Sequence, residues 1–422
     1  MRYITPMPNI TPDIEAFARI KVLGVGGSGG NAVNHMIAHK VRGVDFIAIN
    51  TDSQDLHRSL AKKRVHIGKN ITRGLGTGMN SDLGRRAVEE TRDEIQEIIK
   101  GADMVFVTCG LGGGTGSGAS PMVARVAKEL GCLTVAVVTK PFYFEGRQRA
   151  RIAEVGLEEL RKEVDAIIII PNDRLLSAID KATTVKNAFS MCDEILRHAV
   201  EGISDLITTP GIINIDFADI RTVMENAGPA LMGIGTATGE NRAVEAAKAA
   251  INSPLLDVSI TGSKGVLFSI AGGEDLTMFE IQDAAKVITE SIDPEAKIIF
   301  GTVRDDKLKK NEIKITVIAT GFPEGSPTAL KIGGTNTSAG LSGGMSESTI
   351  SSFNKSSDKE KGKIHHAPLE SKRESVATSV SVSSSSSEKV VDLKKSAPAA
   401  KPVEDNDDWG AVPAFLRRSR LK

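Results

Sequence analysis

Two glycine clusters, each caught between an apolar β-branched run and a helical pattern, constrain this chain more than any other feature. The first, G-V-G-G-S-G-G-N, runs from Gly24 to Asn31 directly after Ile20–Val25. The second, C-G-L-G-G-G-T-G-S-G-A-S, runs from Cys109 to Ser120 after Met104–Thr108. Six of its twelve residues are glycine, so ordering it costs backbone entropy while offering few side chains to pack. A bound anion offsets that cost when the backbone N–H groups gather at a helix start.

The flanking sequence specifies the scaffold. Val44–Asn50, Leu133–Thr139 and Ala166–Ile170 join Ile20–Val25 and Met104–Thr108 as runs that are apolar almost throughout. Parallel strands covered on both faces read that way. Helical patterns alternate with them at Asn31–His39, Gly84–Lys100 and Pro121–Leu130, the last with Pro near its start and Gly131 just past its end. The alternation predicts a doubly wound α/β domain of Rossmann type over residues 17–185. Phe189, Cys192, Ile195, Leu196, Ala199, Ile203 and Leu206 recur at helical spacing, which predicts a long buried helix over 186–208. Beyond it, Gly265–Ala271, Lys297–Val303 and Ile313–Thr320 read as strands of a second sheet, in a smaller α/β domain over 209–321. Helices at Glu240–Ile251 and Phe279–Ile292 would cover that sheet.

Composition changes at Phe322. From Pro323 to Glu404 the chain is rich in Ser, Lys, Glu and Gly, with five serines at Ser383–Ser387 and Phe353 as its one aromatic. Such a stretch buries too little apolar surface to order itself, so residues 322–404 are expected to be a disordered linker, as are residues 1–16 a flexible start. The last segment, 405–422, gathers Trp409, Val412, Pro413, Phe415 and Leu416 ahead of Arg417, Arg418 and Arg420. Apolar anchors after a polar linker read as a docking peptide. Lys+Arg and Asp+Glu are equal at 53 each, which gives no field for nucleic acid or an anionic membrane. The three cysteines lack C-x-x-C spacing, and no run has signal-peptide or membrane-span length. A cytoplasmic protein without membrane insertion is expected.

The chemistry leaves three readings: an oxidoreductase, a nucleotide-hydrolysing protein, and a nucleotide-binding scaffold without hydrolysis, against which the presence of Asp216 and Asp219 argues. Gly24, Gly26 and Gly29 form G-x-G-x-x-G, with Asp52 at the end of the next strand, as a nicotinamide-dependent oxidoreductase would have. That reading leaves the second cluster unexplained. There is no G-x-x-x-x-G-K-[ST], so backbone amides and the hydroxyls of Thr115 and Ser117 would carry phosphates. Two such loops favour a nucleotide with several phosphates. Downstream, N-I-D-F-A-D places Asn214, Asp216 and Asp219 together in an expected loop. Two carboxylates there suit orientation of a water against a γ-phosphate, with Asn214 adding a hydrogen bond. Equally, one of the aspartates suits the cap of a helix starting near Ile220.

Four motifs in order carry a resemblance: G-G-G-T-G-S-G from Gly112, K-P-F-Y-F-E-G-R-Q-R from Lys140, I-P-N-D-R-L-L from Ile170 and N-I-D-F-A-D-I-R-T-V-M from Asn214. Together they resemble the tubulin/FtsZ family, and within it the bacterial cell-division branch. The resemblance implies a GTP/GDP site whose phosphates meet Gly26, Gly27, Ser28, Gly29, Gly30 and Asn31 on one side. Gly112, Gly113, Gly114, Thr115, Gly116 and Ser117 would face them from the other. Ser28 stands where many relatives have glycine. Glu145 and Arg149 would reach the ribose and phosphates, Asn172 and Asp193 the guanine, and Phe189 the base face. Mg²⁺ would be held through the phosphates. The resemblance further implies head-to-tail polymerisation, in which Asn214, Asp216 and Asp219 act on the nucleotide of the next subunit. The filament would form the division ring under the inner membrane. Trp409–Arg418 would bind membrane-tethering and regulatory division proteins, across a linker coil of about 50 Å.

Overall fold

The computed structural model describes residues 18–322, apart from 178–182, 210, 254–259, 274, 306–307 and 310. The expected flexible start, the linker beyond Phe322 and the docking peptide around Trp409 lie outside the described residues. The chain opens with β1 (Ile20–Val25), α1 (Gly26–Ala38), β2 (Val44–Asn50), α2 (Ser53–His57), β3 (Lys63–His66) and α3 (Lys69–Thr72). There follow α4 (Ser81–Glu90), α5 (Arg92–Ile99), β4 (Met104–Gly110), α6 (Gly114–Glu129), β5 (Leu133–Lys140), α7 (Arg147–Glu163), β6 (Ala166–Pro171) and α8 (Asn172–Ser177). The long α9 (Val185–Thr208) leads to α10 (Phe217–Met224), β7 (Gly228–Thr238) and α11 (Arg242–Ile251). Last come β8 (Gly265–Gly272), α12 (Met278–Thr289), β9 (Lys297–Arg304) and β10 (Glu312–Thr320).

Six parallel strands run in the order β3-β2-β1-β4-β5-β6. The winding direction reverses between β1 and β4, and in open α/β sheets a ligand crevice forms at such a reversal. Both glycine clusters leave the carboxyl ends of these two adjacent strands. Alternate residues of each strand serve opposite faces: Val22 and Phe106 pack toward α1 and α9, while Leu23, Val105 and Val107 pack toward α5, α6 and α7. Lys21 interrupts the apolar run of β1, and its Nζ donates to the carbonyls of Ile98, Ile99 and Lys100. It thereby satisfies the last turn of α5, whose carbonyls have no partner within the helix.

The second sheet expected from the sequence is instead a continuation of the first, through β7-β10-β8-β9. β7 pairs in parallel with β6 only at Ala166↔Gly228, Ile167↔Pro229 and Ile168↔Ala230. It then pairs antiparallel with β10 from Thr238↔Glu312 to Leu231↔Ala319. Its sequence, with three glycines and a proline, reads as loop, which is why the join was not anticipated. A separate apolar core lies under α11 and α12, built on Val266, Phe268, Ile270, Ile315 and Val317.

Three helix boundaries also differ from expectation. α1 begins at Gly26, ahead of Asn31, and α6 begins at Gly114, so that Pro121 sits inside it. Glycine contributes nothing to a hydrophobic period, so these first turns were invisible. The pattern Gly84–Lys100 is broken at Thr91 (φ −116°, ψ 20°) into α4 and α5.

Close approach of α4 and α6 explains part of the glycine content. A Cβ on Gly118 would lie 1.9 Å from the Ser81 carbonyl oxygen, and one on Gly84 would lie 2.4 Å from that of Gly114. Gly118→Ala is expected to destabilise the fold by about 3 kcal/mol, because backbone rather than a side-chain tip must move. Gly30→Ala meets nothing within 4 Å and gains about 1 kcal/mol of helix propensity. Thermal unfolding of the two variants checks this; equal midpoints would show that the helices separate without cost.

Candidate functional site

The crevice at the strand reversal is lined by both glycine clusters. Val25, the N-cap of α1, and Gly113, that of α6, provide no side-chain cap, and neither helix has an acidic residue in its first turn. Their leading N–H groups and dipoles therefore face the crevice without an internal anion, as a phosphate site requires. Gly26 has φ +74°, and its Cβ position lies 3.2 Å from the Gly116 amide nitrogen. The two helix starts thus meet edge to edge, which a side chain would prevent.

The candidates divide by position. Gly26, Gly27, Ser28, Asn31, Gly113, Gly114, Thr115 and Gly116 line the crevice. Gly29, Gly30, Gly112 and Ser117 do not. A Cβ at Gly29 would lie 2.4 Å from the Thr108 carbonyl oxygen, so this glycine lets α1 sit against β4. Ser117 corrects an expectation. Its hydroxyl is fully buried and accepts the Gly112 N–H at 2.9 Å, closing the loop rather than facing a phosphate. Thr115 does face the crevice, where its Oγ1 lies 2.7 Å from Thr51 Oγ1 and 3.2 Å from Thr77 Oγ1.

At the middle of the crevice, Glu145 and Arg149 approach to 3.7 Å. Glu145 Oε1 accepts the Phe142 N–H at 3.1 Å. Burial pushes its carboxyl above the usual range, against the opposing effects of that N–H and of Arg149. The far end is formed by Asn172 at the start of α8 and by Phe189 and Asp193 one turn apart on α9. Phe142 meets Phe189 edge-on, with centroids 5.3 Å apart, and fixes the ring. Asn172 Oδ1 is buried without a hydrogen-bond partner. Asp193 is buried, and its carboxyl is pushed up to about 8 with burial as the cause. A buried acceptor and a desolvated carboxylate on one crevice wall are costly unless a ligand brings donors.

Sequence reasoning missed a third wall. Gly76, Thr77, Gly78 and Met79 line the crevice, as do Asn50, Thr51 and Asp52. A signal was present: G-L-G-T-G from Gly74 alternates glycines, and Gly74, Gly76 and Gly78 all have positive φ. Asp52 is no ribose clamp of the dinucleotide kind, because its Oδ1 caps α2 by accepting the N–H groups of Gln54 and Asp55.

Asn214, Asp216 and Asp219 are all exposed and lie outside the crevice. The aspartates do not share a loop as expected. Asp216 is the N-cap of α10, accepting the Ala218 N–H at 3.5 Å, and Asp219 lies in the first helical turn. The helix begins three residues before Ile220 because Phe217 packs on the core beneath it. Asn214 Oδ1 accepts the Gly211 N–H at 2.7 Å, which shapes the preceding loop. Ile212 within that loop is 79% exposed.

Comparison with known proteins bears on this arrangement. A family model described as the GTPase domain of the Tubulin/FtsZ family matches residues 19–180, and one described as the C-terminal domain of the FtsZ family matches 228–323. The fold is similar to that of an FtsZ dimer from M. jannaschii, with 45% identity, TM-score 0.69, and coverage of 72% of this chain and 88% of that one. A mutant FtsZ from the same organism gives 45% identity, TM-score 0.70, and coverage of 72% and 92%. CetZ2 from Haloferax volcanii, solved as a GTPγS-bound protofilament, shares the fold at 20% identity, TM-score 0.63, and coverage of 75% and 96%.

Proposed function

Because the chain belongs to the tubulin/FtsZ family of GTPases, we propose that the crevice holds GTP and that hydrolysis is completed by a second copy of the chain. The triphosphate lies between the starts of α1 and α6, where N–H groups and helix dipoles converge. Glu145 and Arg149 meet the ribose side. At the far end, the guanine N1–H and N2–H supply the two donors that Asp193 needs, and an amide oxygen such as Asn172 Oδ1 accepts another. Adenine presents no such donor pair, so the same wall selects guanine. Mg²⁺ is held mainly through the phosphates, since the nearby Thr51, Thr77 and Thr115 hydroxyls already hydrogen-bond one another.

The observation that carries the second half is the position of the carboxylates. Asp216 and Asp219 are exposed, follow the exposed Ile212 closely in sequence and do not line the chain's own crevice. Next to the crevice-lining Glu145, Tyr143 and Phe144 are 82% and 63% exposed. Head-to-tail stacking buries both apolar sets and brings the carboxylates of one subunit to the γ-phosphate of the next. Such a contact does not close on itself and yields a filament. The two regions, 17–185 and 209–321, then act as nucleotide-binding and activating domains joined by α9. The reading extends to a cytoplasmic division ring, tethered through Trp409–Arg418.

GTP turnover per subunit measured against protein concentration tests the proposal. It is expected to rise from near zero above a threshold, in step with light scattering. A rate per subunit that stays flat on dilution shows a complete site in the monomer and sinks the shared-site reading.

A further inference from the structure

Outside the crevice, one cluster of donor atoms has the composition of a metal site. His35 lies in the last turn of α1 and His39 is the C-cap residue one turn on, and Glu194 faces them from α9. One ligand atom from each falls within 4.8 Å of the others. His35 Nε2 is 2.7 Å from Glu194 Oε2, and the two imidazole centroids are 4.1 Å apart. His39 Nδ1 lies 2.9 Å from the His35 carbonyl oxygen. With Nδ1–H donating there, the tautomer leaves Nε2 of His39 with a lone pair, and such a backbone contact is how a ligating histidine is oriented.

We propose that His35, His39 and Glu194 bind one divalent transition-metal ion, Zn²⁺ by preference, which clamps α1 to α9. Two imidazoles and a carboxylate suit Zn²⁺, with water as the fourth ligand, and are unsuited to Mg²⁺, which takes oxygen donors. The site is therefore chemically separate from any ion carried by the nucleotide. Ligand atoms at about 2.0–2.1 Å from a tetrahedral ion are about 3.3 Å apart, so the His35–Glu194 contact must open by roughly half an ångström. Side-chain rotation supplies that, because His39 is exposed and Glu194 is about a third exposed. The competitors are a guanidinium and a neighbouring imidazole. Arg197 binds both Glu194 oxygens, and His198 Nε2 lies 3.3 Å from Oε1. Arg197 also holds Glu201, so it keeps a carboxylate partner when Glu194 turns to the metal.

The position gives the site a consequence. The same α1 contributes Gly26, Gly27, Ser28 and Asn31 to the crevice, and the same α9 contributes Phe189 and Asp193. An ion joining the two helices holds the opposite ends of the crevice in register. It does not depend on which nucleotide lies between them.

The test uses the full chain loaded with GDP in excess Mg²⁺, which occupies the phosphates, with Co²⁺ as the probe. The tail pair His365 and His366 is a rival ligand set, so His365→Ala/His366→Ala serves as the reference protein. The reference is expected to bind one Co²⁺ per chain, with visible bands of a four-coordinate ion and a raised unfolding temperature. Adding His39→Ala, an exposed position, weakens binding more than about tenfold and abolishes both signals. Zn²⁺ is expected to displace the Co²⁺. If the reference protein shows no bands, or if the His39→Ala variant keeps them, the site is an ordinary ion pair and the proposal is overturned.

Discussion

Replacing Asp216 or Asp219 by asparagine is expected to leave GTP binding unchanged and to lower turnover by about 100-fold or more, the contribution of a positioned general base. Asparagine is the informative substitution. Asp216 caps α10, and alanine there costs about 1 kcal/mol of helix stability, which would confuse a structural effect with a chemical one. Asparagine caps as well and removes only the charge. Nucleotide affinity measured by equilibrium binding, alongside phosphate release at one protein concentration above the assembly threshold, separates the outcomes. Equal losses in both would place the carboxylates in binding. A mixing experiment sharpens this. Subunits carrying Asp216→Asn, combined with subunits that have intact aspartates but a disabled crevice, are expected to recover part of the turnover. Each then supplies the half that the other lacks.

The second large effect concerns the base. Asp193→Asn is expected to weaken GTP binding by about 100-fold, since a hydrogen bond to a charged group contributes roughly 1.5–3 kcal/mol and two are altered. Xanthosine triphosphate is expected to bind the variant better than GTP does. Xanthine presents N1–H with a carbonyl at C2, which matches an amide's acceptor and donor. The unmodified protein carries a pH signature as well. Burial raises the Asp193 carboxyl from 3.8 to about 8, whereas the guanine contact requires the carboxylate. GTP affinity is therefore expected to rise with pH up to about 8, by at most about tenfold per unit, and then to level off. The stability of the nucleotide-free protein moves the opposite way. With the folded value above the unfolded one, this group's contribution falls as pH climbs from about 4 to about 8. Isothermal titration of the two proteins with GTP at several pH values checks the first sign, and denaturant unfolding of the nucleotide-free proteins checks the second; a flat affinity profile for the unmodified protein removes Asp193 from the base contact.

Legibility in the sequence followed side-chain pattern. The β-branched runs of β1, β2, β4, β5 and β6 announced a parallel sheet, and the apolar spacing after Ala188 announced α9. Where glycine replaces side chains, the pattern stops. It hid the first turns of α1 and α6, the wall at Gly76–Met79, and β7 with its glycines and Pro229. The same blindness set Gly112 and Ser117 among the phosphate ligands. In the fold, the Ser117 hydroxyl accepts the Gly112 N–H and ties that loop shut, while Gly118 and Gly84 let two helices touch. Asp216 and Asp219 were visible as a pair, and the resemblance implied a role at another subunit's nucleotide; the fold adds that both are exposed and do not line the chain's own crevice.

The short parallel join between β6 and β7 has a mechanical meaning. Three residue pairs link the two stretches of sheet, and one of them is at Pro229, which has no N–H to give. A plate narrowed to so few bonds is stiff along its strands and compliant in torsion across the notch. α9, 24 residues long and packed into the core against both sides, runs beside the notch as a strut that resists stretching more than twisting. In the end-to-end stacking proposed above, tension would pass through continuous backbone, while each subunit would contribute a small, elastic angle of twist to the line.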